Sequence, residues 1–236
     1  MSKSYVWNPT EEFNNLGTDE GLEFLKKLVT YFAEEIDFLS SYNQNITNVD
    51  EIRLEKLKSL AYALKVNYKF KENQNLFSDG NSELEEKGLL LQSWISLGAI
   101  LESTMLLFLS IYNHSYDNNP MLDRKNKKIN IEDLKLVKLI EYFFDTHKGI
   151  FKGGTIDENE VHIIRLERNL VHLFNNKEVK SWTDFNYCLK IIIELLFELI
   201  SRLPDVEDEN GSVSSGNDDL RRYIYKTKNQ LFSFGK

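Results

Sequence analysis

The chain has 236 residues, 42% apolar and 28% charged, with three prolines, eleven glycines, one cysteine and a net charge of −8. That length allows one or two domains with a sizeable core, while the sparse proline and glycine exclude a sandwich, a collagen-like chain or a low-complexity chain. Lone Cys188 excludes an internal disulfide and a cysteine-based zinc cage, and the acidic balance speaks against broad electrostatic binding of nucleic acid, leaving room for one local basic cleft.

Residues 1–17 read as an N-terminal extension. Their opening segment, MSKSYVWNPTEEF, lacks the apolar core of a signal peptide, so a cytoplasmic protein is expected. Leu22, Leu25, Val29, Phe32, Ile36 and Leu39 then alternate steps of three and four residues, which predicts a helix burying one stripe. Leu54, Leu57, Ala61, Leu64 and Tyr68 predict a second. A third begins near Ser82, where Ser82-Glu83-Leu84-Glu85 matches a capping box. Its apolar part, residues 89–112, is long enough to suggest a membrane span, but Glu102 sits at its centre. A mid-span acid costs roughly 2.5–3.5 kcal/mol on insertion scales, so the expectation is a buried central helix and no membrane.

Residues 113–130 are polar and read as a long surface loop. Leu134, Val137, Ile140 and Phe144 mark a fourth helix, and Gly153-Gly154 falls in the loop after it without the ending of a phosphate-binding motif. A fifth helix is expected over residues 157–174. A sixth runs from near Ser181 to just before Pro204, with Lys190, Glu194 and Glu198 as its polar stripe. Residues 204–236 form an acidic loop and a basic aromatic tail. Strand alternation is scarce, so the expected fold is all-α: a single domain over residues 18–203, built as an antiparallel multi-helix bundle.

Metal and cofactor patterns are missing. His114, His147, His162 and His172 include no His-Glu-x-x-His pair, and no acid lies at Glu-x-x-His spacing on two helices. Neither a metal nor a cofactor is expected. Cys188 precedes a core run and reads as structural.

The fifth helix stands apart. At about 100° per residue, Arg165, Arg168, Asn169 and His172 fall on one arc, which His162 extends. Ile163, Ile164, Leu166, Leu170, Val171 and Phe174 cover the rest, and Glu167 points to the far side. Arginine offers a rigid fork matched to phosphate oxygens, and imidazole moves protons near neutral pH. The strip is thus a candidate site for a phosphate or a developing anion, or else simply a basic solvated face. Glu102 is expected to pair with Arg165 or Arg168, the alternative being a bond to a nearby Ser, Tyr or backbone amide.

The run Arg165-Leu166-Glu167-Arg168-Asn169-Leu170-Val171-His172 resembles the signature of HEPN domains: an Arg, four to six residues, then a His, often with Arg-Asn inside it. Arg165 leaves six residues before His172, whereas Arg168 of the Arg-Asn dipeptide leaves three, so both remain open as the family's arginine. The resemblance implies a HEPN-like bundle and a metal-independent endoribonuclease, serving phage defence or toxin–antitoxin growth control. His172 would act as general acid or base, Arg165 or Arg168 would hold the phosphorane charge, and Asn169 would position the phosphate or the imidazole. RNA would be the substrate and an antitoxin or defence-system protein a partner. One strip supplies one His172, so a homodimer with facing fifth helices is expected. The competing reading is a non-catalytic interaction or dimerisation module with a basic partner-binding strip.

Overall fold

Apolar residues spaced three and four apart can only be buried together if the backbone coils, and that spacing accounts for most of the architecture. The computed structural model describes residues 17–42, 46, 48–73, 82–145, 149–151, 156–171, 177–204, 206–207 and 213–214. Helix α1 spans Thr18–Tyr42 and buries Leu22, Leu25, Val29, Phe32, Ile36 and Leu39. Helix α2, Glu51–Glu72, starts at Asp50, whose side chain accepts the Arg53 N–H at 2.8 Å, and buries Leu54, Leu57, Ala61 and Leu64. Helix α3, Ser82–Ile111, is the central element and touches α1, α2 and the helices that follow.

Centrality explains why α3 is apolar around its circumference. Trp94, Leu97, Ile100, Leu101 and Met105 are fully buried against different neighbours. By length and composition alone α3 is long and apolar enough to cross a membrane, but 67% of its apolar window is buried inside the fold, which is compatible with a soluble protein.

The polar stretch after α3 is more ordered than its composition predicts. It forms a short helix α4, Asn113–Asn118, and a turn closed by a bridge between Leu122 and Lys128. Tyr116 anchors it: its ring is buried, its hydroxyl donates to the Ile129 carbonyl at 2.7 Å, and the same oxygen accepts the Met121 N–H at 3.3 Å. Within the turn, Asp123 accepts from the Lys125 and Lys127 amides, side-chain capping that replaces regular secondary structure.

A 3-10 turn, Ile131–Asp133, leads into α5, Leu136–Phe144, and α6 follows over Glu158–Arg168. Helix α7, Trp182–Ser201, opens with a reciprocal capping box between Ser181 and Asp184. Of its predicted polar stripe, Glu194 is buried. Two-residue strands β1, Val206–Glu207, and β2, Val213–Ser214, pair antiparallel beyond the bundle. All other regular elements among the described residues are helices, and the all-α expectation holds.

Candidate functional site

Helix α6 carries the predicted strip and is shorter than its apolar pattern suggests. Asp157 caps it by accepting the Asn159 N–H at 2.9 Å, with Glu158 and Glu160 in the first turn and Arg165 and Arg168 in the last. This charge order complements the helix dipole. The α-helix stops at Arg168, and Asn169–Val171 continue as a 3-10 turn. The expected helix over residues 157–174 is corrected accordingly, and the single arc drawn through Asn169 no longer follows α-helical phase. His172 lies outside the described residues, as does His147.

The burial of α6 also departs from expectation. Leu166, assigned to the covered side, is 46% exposed, whereas Glu167 is 6% exposed. The reason is a specific backbone partner: Glu167 Oε2 accepts the Lys180 N–H at 3.0 Å. The Lys180 carbonyl accepts from Trp94 Nε1 at 3.3 Å. Lys180, just before the cap of α7, is therefore held from α6 on one side and α3 on the other. A second tie joins the Tyr187 hydroxyl to Glu160, and this hydrogen bond, reinforced by burial, pushes the phenol up to about 12.

Arg168 packs into α3. A Cβ built on Gly98 would lie 2.6–3.0 Å from Arg168 Cβ, Cγ and Cδ, so the arginine stem runs across the bare backbone of that glycine. One helical turn further along α3, Glu102 Oε2 meets Arg168 Nη2 at 2.6 Å. The other oxygen, Oε1, accepts the Leu136 N–H at 3.1 Å, filling an orphan donor at the start of α5. Both alternatives raised for Glu102 are realised at once, on its two oxygens.

Arg165, one turn earlier on α6, has a different environment. Its Nε donates to His162 Nδ1 at 3.2 Å, and His162 Nε2 lies 3.5 Å from Glu158 Oε1. In this arrangement Nδ1 accepts, which leaves Nε2 to carry the imidazole proton toward Glu158. The terminal amino groups of Arg165 meet no carboxylate among the described residues. Asn169 caps α6, its N–H reaching the Arg165, Leu166 and Glu167 carbonyls, and its side chain is half-buried.

Other reactive groups lie elsewhere. Cys188 is buried on α7 and burial pushes its thiol up to about 12, which suits a packing residue rather than a nucleophile. His114 is exposed on α4. Among the described residues no three His, Cys, Asp or Glu side chains gather as a metal site. Comparison of this chain with family models, curated proteins and solved structures finds no match.

Proposed function

We propose that this protein is an endoribonuclease of the HEPN type, cleaving RNA by attack of a 2′-hydroxyl on the adjacent phosphate without a metal ion. The observation that carries the reading is the contrast between the two arginines of α6. Arg168 is neutralised by Glu102, whereas Arg165 holds its terminal donors free of any described carboxylate. Arg165 also has the spacing to His172 that the family signature asks for.

In this reading Arg165 holds the charge that develops on the phosphorane, where a bidentate guanidinium is strongest. His162 anchors its Nε and leaves the fork for the phosphate. His172 moves the proton, and Asn169, where α6 gives way to the 3-10 turn, positions phosphate or imidazole. Arg168 and Glu102 fix the end of α6 against α3. Since each chain offers one His172, two chains with facing α6 helices would supply acid and base together. Phage defence or growth control in the cytoplasm, with a neutralising protein partner, is the setting this chemistry suits.

The test is incubation of the purified chain with total cellular RNA, with and without EDTA. Cleavage is expected in both, with 2′,3′-cyclic phosphate ends, and His172→Ala should slow it by about 10²–10⁴-fold. Light scattering should give twice the 27.7 kDa chain mass. An unchanged rate in a folded His172→Ala protein removes the catalytic assignment. The interaction-module reading then gains, favoured by the internal partners that already satisfy Glu102, Arg168 and His162.

A further inference from the structure

Away from the strip, a cleft of about 190 Å³ opens between the start of α2, one face of α3 and the 3-10 turn before α5. Ser103, Leu106, Leu107 and Ser110 line it from α3 at helical spacing, and Ile131 closes the apolar side. Its charged groups are Arg53 and Lys56 from α2 and Glu132 from the turn.

Arg53 is held in place. Its Nη1 donates to the Asn48 carbonyl at 2.7 Å, and its Nε lies 3.2 Å from Asp50 Oδ2. Asn48 adopts a left-handed backbone with φ of 69°, a conformation that asparagine tolerates well. By contrast, Lys56, Ser103 and Glu132 make no hydrogen bond or ion pair with another described residue. An unpaired cation, an unpaired carboxylate and a free hydroxyl thus share one small, mostly apolar recess.

We propose that this cleft binds an apolar α-amino acid. The ligand's carboxylate would meet Lys56 and the fixed Arg53, its ammonium group Glu132, and its side chain the surface of Leu106, Leu107 and Ile131. Size supports the assignment, because an apolar cavity of about 150 Å³ is enough to hold benzene. A simple anion would leave Glu132 opposing it, and a simple cation would face Arg53 and Lys56. A zwitterion uses both signs.

The experiment is calorimetric titration of the full chain, without RNA, so that its outcome is independent of any cleavage. L-Phenylalanine is the probe, with 3-phenylpropionate and 2-phenylethylamine as analogues that lack one charge each. Saturable binding with Kd of about 1 mM or tighter is expected for a ligand of this size. Each analogue should bind at least about tenfold more weakly. Lys56→Glu and Glu132→Lys, both at exposed positions, should weaken binding by about tenfold or more while circular dichroism stays unchanged. No saturable heat up to about 20 mM, equal affinity for either analogue, or unaltered binding in both variants would overturn the proposal.

Discussion

Two arginines one helical turn apart on α6 have been given opposite surroundings. Arg168 lies along Gly98, meets Glu102 and shares that carboxylate with the backbone of α5. Arg165 donates to an imidazole on its own helix and makes no hydrogen bond or ion pair with a described residue of another element. Residue type therefore says little about role here. The same guanidinium is a structural clamp where a neighbouring helix supplies a glycine and an acid, and keeps its terminal donors clear of any described carboxylate where none does.

The sharpest way to break this comparison is to remove each arginine in turn. Arg165→Ala should lower RNA cleavage by about 10²–10³-fold, as loss of a charge-stabilising donor does. Its stability should change by no more than about 0.5 kcal/mol, because the residue is half-exposed with one local bond. Arg168→Ala should instead show its main effect in thermal unfolding. Equal melting temperatures for the two variants would refute the division.

A smaller effect is expected from the partners on α3. Glu102→Ala leaves the Arg168 guanidinium and the Leu136 amide without their acceptor. Complete burial would make this costly, but the two side chains are 22% and 28% exposed, so the expected loss is about 2 kcal/mol. Gly98→Ala should cost about 1–3 kcal/mol, because the new methyl meets Arg168 Cβ, which cannot swing aside without moving α6. A double-mutant cycle should give strong coupling between Gly98→Ala and Arg168→Ala and none between Gly98→Ala and Arg165→Ala.

The smallest effect comes from a charged node far from the strip. Burial raises the Glu23 carboxyl, but hydrogen bonds from Lys26 and Lys65 outweigh it and bring it from 4.5 to about 2. A depressed carboxyl contributes stability above its unfolded value and loses it as the pH falls through the folded one. Between pH 4.5 and about 2 the wild-type chain should therefore lose stability that Glu23→Gln never had. The difference should stay below about 1 kcal/mol, as the carboxylate is a third exposed. Chemical denaturation across that range reads it directly.

Much of this arrangement was legible in the residues. Periodicity located the long helices because burial of an apolar stripe is what makes them fold. The need to pair an acid inside an apolar helix pointed from Glu102 to the strip. The choice of Arg168 was not legible, since it depends on Gly98 lying beneath that side chain. Nor was the burial of Glu167, which answers to a single amide at Lys180. The cleft between α2, α3 and the 3-10 turn was hidden for a similar reason. Its charges come from two segments far apart in the chain, and neither Arg53 nor Glu132 sits in a pattern of its own.

The divided carboxylate of Glu102 also bears on the timing of folding. One of its partners is 34 residues along the chain and the other farther still, so neither bond can form while α3 is an isolated helix. Both wait for α5 and α6 to dock, after most loop-closure entropy has been lost. Glu102→Ala is therefore expected to speed unfolding more than it slows folding, which the two arms of a chevron plot read separately. On that expectation Glu102 acts on how long the native arrangement lasts once reached, more than on how quickly the chain arrives there.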